Sequence, residues 1–226
     1  MNTIIVIPAY NPNKRLINLV DRLAKLKDIT KIIVVNDGSD RKYSNIFIEV
    51  SRYADVISYN KNKGKGYALK TGFKFIKMLE LCGTVITVDA DGQHSIYDIQ
   101  KCLKEASNNK VVLGIRKLNK YIPIKSYIGN KIINKIFEIK THKKLSDTQT
   151  GLRAFNTDNL DEFIKISGNR YEYELNFLMY CIKNGISIKE IKINTIYFNK
   201  NKETHFRPII DSIKIIKTIL KYENTK

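Results

Sequence analysis

The chain has 226 residues, 43% of them hydrophobic and 27% charged, a globular composition that excludes a disordered protein and suits one α/β domain with a buried core. Its three cysteines, Cys82, Cys102 and Cys181, are scattered, which excludes a disulfide framework or a cysteine metal centre and points to a reducing compartment. The net charge of +18 favours anionic partners such as nucleic acid, diphosphates or acidic lipid heads, although a Lys/Ile/Asn-rich genome bias accounts for much of it.

From the N-terminus, Thr3–Ile7 predicts a buried strand. Leu16–Leu26 repeats apolar residues at Leu16, Leu19, Val20, Leu23 and Leu26, a helical period. Lys31–Val35 and Ala54–Tyr59 predict the next two strands. Lys65–Leu81 predicts a helix with Leu69, Phe73 and Ile76 on one face. Thr84–Val88 then reads as a strand, Ile96–Ala106 as a helix and Val111–Gly114 as a strand. Apolar strands alternating with helices predict a mostly parallel sheet covered on both faces. Further on, Lys125–Ile139 predicts an amphipathic helix and Gly151–Phe155 a short strand. Tyr173–Lys183 predicts a helix with Leu175, Leu178, Met179 and Ile182 inward. Ile186–Ile193 and Thr195–Phe198 predict strands antiparallel to their neighbours. Pro208 opens a last helix, to about Tyr222, with proline at its favoured first position.

In open parallel sheets ligands bind beyond the carboxyl ends of the strands. Here those ends read Pro8-Ala9-Tyr10-Asn11, Asn36-Asp37-Gly38-Ser39-Asp40, Asn62-Lys63-Gly64-Lys65-Gly66, Asp89-Ala90-Asp91-Gly92-Gln93-His94 and Gly114-Ile115-Arg116. One polar, glycine-rich tip is an ordinary turn; a whole edge of them predicts a site. Asp89 and Asp91, two residues apart, can face one side and share a hard divalent cation, Mn²⁺ or Mg²⁺, with Gln93 as a further oxygen ligand. The alternative is a turn whose aspartates cap the next helix. Asp37 can accept a nucleobase imino proton, or it simply closes a turn. Gly64-Lys65-Gly66 opens a helix whose amides can meet a diphosphate, or it is a plain turn; the Walker A spacing is absent.

In their order along the chain, these motifs resemble those of the family-2 inverting glycosyltransferases, notably the polyprenyl-phosphate (dolichyl-phosphate) sugar synthases and related bacterial cell-surface enzymes. The likeness continues through Asp147-Thr148-Gln149-Thr150-Gly151-Leu152-Arg153-Ala154-Phe155 and Tyr171-Glu172-Tyr173-Glu174, reaching Thr195-Ile196-Tyr197 and Thr204-His205-Phe206. The resemblance implies a Rossmann-like, A-type glycosyltransferase α/β fold. It implies that residues 1–118 bind a nucleotide diphosphate-sugar, residues 119–206 serve the acceptor, and 207–226 form an amphipathic helix of the same domain. Carried over by position, Pro8, Tyr10 and Asp37 touch the nucleoside and Lys65 lies near the nucleotide. Asp89, Asp91 and Gln93 hold metal and diphosphate, and Arg116 reaches the diphosphate. Asp147, Gln149 and Arg153 line the acceptor side. A hydroxyl acceptor needs a base, for which Asp147, Glu172 and Glu174 are candidates. A lipid-phosphate acceptor needs cations instead, from Arg153 or Arg207. Where the lipid-phosphate synthases carry an arginine-rich stretch, this chain has Lys125, Ser126 and Lys131, which keeps a membrane-bound saccharide acceptor open.

The Arg207–Tyr222 segment places Ile209, Ile213, Ile216 and Leu220 on one face, which suits core packing first and membrane contact second. No apolar run approaches the roughly 20 residues that span a bilayer, and the N-terminus lacks a signal-peptide layout. The expected location is cytoplasmic, with the inner face of the plasma membrane as a peripheral address. The rival readings are a sugar nucleotidyltransferase and a basic nucleic-acid binder. Pro8-Ala9-Tyr10 where the former has a glycine-rich loop argues against it, and no nucleic-acid motif supports the latter.

Overall fold

A computed structural model describes residues 2–106, 110–116, 124–194, 196, 216 and 219, with the side chains of 124–128 excepted. Arg207, Thr204-His205-Phe206 and nearly all of the expected Pro208–Tyr222 helix lie outside the described residues.

Seven strands form one sheet: β1 (Thr3–Ala9), β2 (Lys31–Asn36), β3 (Asp55–Ser58), β4 (Thr84–Thr87), β5 (Lys110–Arg116), β6 (Arg153–Asn156) and β7 (Ser187–Ile193), in the order β3-β2-β1-β4-β6-β5-β7. Six run parallel; β6 lies between β4 and β5 and opposes both, pairing Arg153 with Thr87 on one side and Leu113 on the other. The expectation for Ile186–Ile193 is therefore corrected. β7 runs parallel to β5, from Lys110↔Ser187 to Arg116↔Ile193, and the reversed strand is β6. All four β6 residues are buried, so no polar–apolar alternation in its sequence marks its direction.

Strand alternation sends successive side chains to opposite layers. Ile5, Ile7, Ile32 and Val34 pack with α1 (Arg15–Ala24), α2 (Ser44–Val50) and α4 (Ile96–Glu105) through Leu16, Leu19, Val20, Leu23, Phe47, Val50, Ile99 and Cys102. Ile4, Val6, Ile33 and Val35 pack on the other face. Their partners there include Leu69, Phe73 and Ile76 of α3 (Lys65–Met78), Phe137 of α5 (Ile124–Thr141), Phe163 of α6 (Leu160–Lys165) and Phe177 of α7 (Glu172–Lys183). Each fully buried side chain of this size contributes about 1.5–3 kcal/mol. The helical periods read from sequence for α1, α3 and α7 fall on these buried stripes. The short helices α2 and α6 complete the layers.

Ser95 caps α4. Its hydroxyl oxygen accepts the Asp98 amide at 3.1 Å and donates to the Asp98 carboxylate at 2.7 Å, which fixes where the chain leaves the Asp89–His94 turn. Asp98 also accepts the Asn194 amide at 3.1 Å, and the Ile196 amide donates to the Gln93 carbonyl at 3.0 Å. Asn194 and Ile196 are thereby tied to α4 and to that turn. No helix among the described residues is long and apolar enough to cross a membrane.

Candidate active site

The six parallel strands end at one edge, and the turn before β6 reaches the same edge because β6 enters from there. The polar tips predicted from sequence meet along it.

Asn11 joins the tips of β1 and β2. Its backbone is left-handed, φ 47°. Its amide donates to Ser39 Oγ at 2.9 Å, and its side chain exchanges hydrogen bonds with Asp40 at 2.9 and 3.2 Å. Pro8 and Tyr10 sit on this junction, both half-buried. Asp37 is buried behind it. Its carboxylate accepts the Tyr59 hydroxyl at 2.7 Å, the Asn62 side chain at 2.9 Å, and the backbone amides of Lys63 and Gly64 at 2.8 and 2.9 Å. These fill the acceptor positions of a carboxylate. Asp37 organises the 59–64 loop, and a nucleobase donor aimed at it has to displace one of these partners.

The Gly64-Lys65-Gly66 turn is shaped by helix packing. A Cβ at Gly64 would stand 2.5 Å from the Asn169 carbonyl oxygen, and one at Gly66 would stand 2.4 Å from Tyr173 Cβ. The two glycines let the first turns of α3 and α7 touch, and the Tyr67 amide donates to Asn169 O at 2.9 Å. This contact delivers Lys65 between two carboxylates, with Nζ 2.7 Å from Asp89 Oδ1 and 2.8 Å from Glu174 Oε1. Burial opposes the ammonium charge, but Asp89 and Glu174 outweigh it and hold the Lys65 pKa above the ordinary lysine range. Burial also opposes the Asp89 charge; Lys65 and His94 outweigh it, so the carboxyl titrates well below the usual range. The buried His94 ring lies against Asp89, Nε2 to Oδ2 at 3.6 Å, too long for a hydrogen bond.

The two aspartates expected to share a cation have different partners here. β4 ends at Thr87 and the chain turns through Gly92, φ 74°, so strand alternation does not extend over Asp89 and Asp91. Asp89 is committed to Lys65. Asp91 instead folds back onto its own turn, accepting the Gln93 amide at 2.9 Å. Burial, then the adjacent Asp89 charge, raises the Asp91 pKa. A half-buried carboxylate repelled by its neighbour is stabilised by an added cation. The donor set thus fits a hard divalent ion held by Asp91, with Gln93 in the same turn and positions left for phosphate oxygens. Among the described residues no group of three or more His, Cys, Asp or Glu side chains is arranged to hold a metal by itself.

Asp147 and Arg116 face each other from the turn before β6 and the end of β5. They form a two-pronged pair, Nε to Oδ2 at 2.7 Å and Nη2 to Oδ1 at 2.9 Å, and the Gln149 amide adds a donor at 3.2 Å. Asn134 of α5 holds this turn by accepting from the Thr148 amide and hydroxyl at 3.2 and 2.7 Å and donating to the Ser146 carbonyl at 2.8 Å. Arg153, expected on the acceptor side, is instead buried. Its guanidinium donates to the carbonyls of Thr150, Glu174 and Thr148 at 2.9, 2.6 and 3.3 Å and lies 5.2 Å from the Phe177 ring centre. It braces the pre-β6 turn against α7. The sequence reading missed Asn134, Tyr59 and the close fit of Gly151 to Asp89. A glycine directly ahead of a strand was the available signal for the last.

Residues 4–164 match the family described as Glycosyl transferase family 2. The chain belongs to this family. This family-2 glycosyltransferase is 32% identical over 216 residues to the UDP-N-acetylglucosamine–dolichyl-phosphate N-acetylglucosaminyltransferase of Methanococcus voltae, covering 85% of each chain. It is 27% identical over 201 residues to the undecaprenyl-phosphate 4-deoxy-4-formamido-L-arabinose transferase of Photorhabdus laumondii, covering 85% of this chain and 59% of that one. The glucosyl-3-phosphoglycerate synthase of Mycobacterium tuberculosis, crystallised with uridine diphosphate, superposes with a TM-score of 0.70 at 17% identity, covering 97% of this chain and 79% of that one. That likeness gives the family-2 enzyme the A-type glycosyltransferase fold expected from its motifs. The same synthase has also been crystallised with Mn²⁺ and with Mg²⁺.

Proposed function

We propose that this glycosyltransferase moves a sugar from a nucleotide diphosphate-sugar, UDP- or GDP-linked, to a polyprenyl-phosphate, with inversion at the anomeric carbon and a divalent cation at Asp91. The relatives named above act, by their names, on dolichyl- and undecaprenyl-phosphate. The observation that carries the reading is the state of the three base candidates. Asp147 is locked to Arg116 and the Gln149 amide. Glu174 is paired with Lys65. Glu172 Oε1 accepts the amides of Asn169 and Arg170 at 3.1 and 3.2 Å. A hydroxyl nucleophile needs one of these carboxylates free. A phosphate oxygen is already anionic and needs none.

The residues divide the work accordingly. The joined tips of β1 and β2, with Pro8, Tyr10 and Asp37, receive the nucleoside. The cation, when bound, offsets the charge that grows on the departing diphosphate. Arg116, held in place by Asp147, supplies positive charge at the acceptor end. Arg207 of the C-terminal segment is a second cation for the acceptor phosphate. A role in cell-surface glycan synthesis follows from such a product.

The test is product analysis with UDP- and GDP-sugars, Mn²⁺ or Mg²⁺, and either a short polyprenyl-phosphate or an oligosaccharide. Release of nucleoside diphosphate with a glycosylated lipid phosphate is expected. Release of pyrophosphate would mean a nucleotidyltransferase, and sugar on the oligosaccharide alone would overturn the acceptor.

A further inference from the structure

We infer that Glu190 is a positioning residue for the acceptor side: from β7 it fixes Ser146, and so sets where the Asp147–Arg116 pair stands. This rests on the acceptor role proposed above for that pair and concerns what aims it.

Strand alternation puts Ile188 and Glu190 on one face of β7. Ile188 packs into the layer with α5 and α7, and Leu113, the β5 partner of Glu190, is buried in the same layer. A carboxylate at this place in the register costs free energy unless donors meet it. Ser146 supplies two. Its amide donates to Glu190 Oε1 at 2.6 Å, and its hydroxyl donates to Oε2 at 2.9 Å. The Ser146 carbonyl accepts from Asn134 at 2.8 Å. The N–H, O–H and C=O of Ser146 are thus all taken, by β7 on one side and α5 on the other. The next residue is Asp147, whose carboxylate meets Arg116 at 2.7 and 2.9 Å. Arg116 ends β5, where the ladder pairs it with Ile193 of β7. One strand therefore serves both halves of the pair: its backbone runs beside Arg116, and its Glu190 side chain holds the turn that carries Asp147.

This grip is not what keeps β7 in place. The strand has a seven-residue ladder with β5, and Lys189–Glu105 and Lys101 to the Lys192 carbonyl tie it to α4. Ser146 is exposed, so water replaces a lost partner at small cost in stability. A variant at position 190 therefore separates positioning from folding.

The test is steady-state kinetics on the full chain, with donor and acceptor varied separately, using the acceptor on which product analysis shows transfer. Glu190→Ala should raise acceptor KM about tenfold, part of what a 1 Å misplacement costs, with donor KM and melting temperature unchanged. Glu190→Gln should restore the native acceptor KM, because its carbonyl accepts the Ser146 amide and its NH₂ donates to the hydroxyl oxygen. An unchanged acceptor KM in Glu190→Ala would overturn the inference. So would parallel rises in donor and acceptor KM, or a Glu190→Gln variant as impaired as Glu190→Ala. Hydrogen exchange supplies a readout that needs no turnover: the Thr148 and Gln149 amides should exchange faster in Glu190→Ala, and unchanged exchange would also overturn the inference. Transfer to an oligosaccharide alone would overturn the lipid-phosphate reading, while the KM split on that oligosaccharide still decides the role of Glu190.

Discussion

Gly151 and Asp89 fit each other with no room for a methyl group: a Cβ at position 151 would stand 2.4 Å from both Asp89 carboxylate oxygens. The carboxylate cannot swing away cheaply, because doing so breaks its ion pair with Lys65. Gly151→Ala should therefore pull Asp89 off Lys65 and lower kcat/KM by about 100-fold, the scale of a 1 Å misplacement in an active site. Steady-state kinetics beside a thermal melt checks this. A folded variant with native turnover would show that the position of Asp89 is dispensable.

Asp91→Asn should abolish transfer yet stabilise the metal-free protein. The raised pKa of Asp91 means that its ionised form is disfavoured in the fold, by burial and by Asp89. For a carboxyl whose folded pKa is raised, the penalty is full above that pKa and fades as pH falls through it toward the unfolded value near 4. The variant should melt higher than the native protein at neutral pH. The gap should close on acidification. A gap that stays constant with pH would place its origin elsewhere.

Arg153 should behave as a structural brace. Arg153→Met strips the donor from three carbonyls in a buried setting, at about 1–3 kcal/mol for each group left without a partner. A loss of about 3 kcal/mol in chemical denaturation is expected. Arg153→Lys should recover little of it, since an ammonium cannot reproduce the planar fork. Full stability with a selective rise in acceptor KM would return Arg153 to the substrate.

Gly66→Ala reverses a familiar rule. Alanine in a helix ordinarily gains up to about 1 kcal/mol over glycine. Here its Cβ would meet Tyr173 Cβ at 2.4 Å, so α3 and α7 must part. The variant should lose stability and loosen Lys65 from Glu174. A melting temperature above native would refute that packing.

Periodicity exposed what depends on burial alone. The buried stripe Leu16, Leu19, Val20 and Leu23, and the apolar strands, were legible because both sheet faces are covered. The direction of β6 was not, since a strand buried on both faces carries no polar side to orient it. The candidate residues were legible as an ordered set of strand tips. Their partners were not: Asp89 and Asp91 look equivalent two residues apart, and only Lys65, arriving from another element, separates them. Arg153 misled for a similar reason. An arginine at a strand entrance reads as a ligand for anions until the three carbonyls around it are known.

The reversed strand has a consequence for how such an enzyme diversifies. In the proposed reaction the groups assigned to the donor sit on exits from β1, β2 and β4, whereas Asp147 and Gln149, assigned to the acceptor, sit on the entrance to β6. That entrance is reached through its own helix, α5, whose Asn134 grips it. Insertions or exchanges in the 117–150 connection can therefore retune which acceptor is admitted while leaving the three exits undisturbed. One scaffold can keep its donor and try out new recipients.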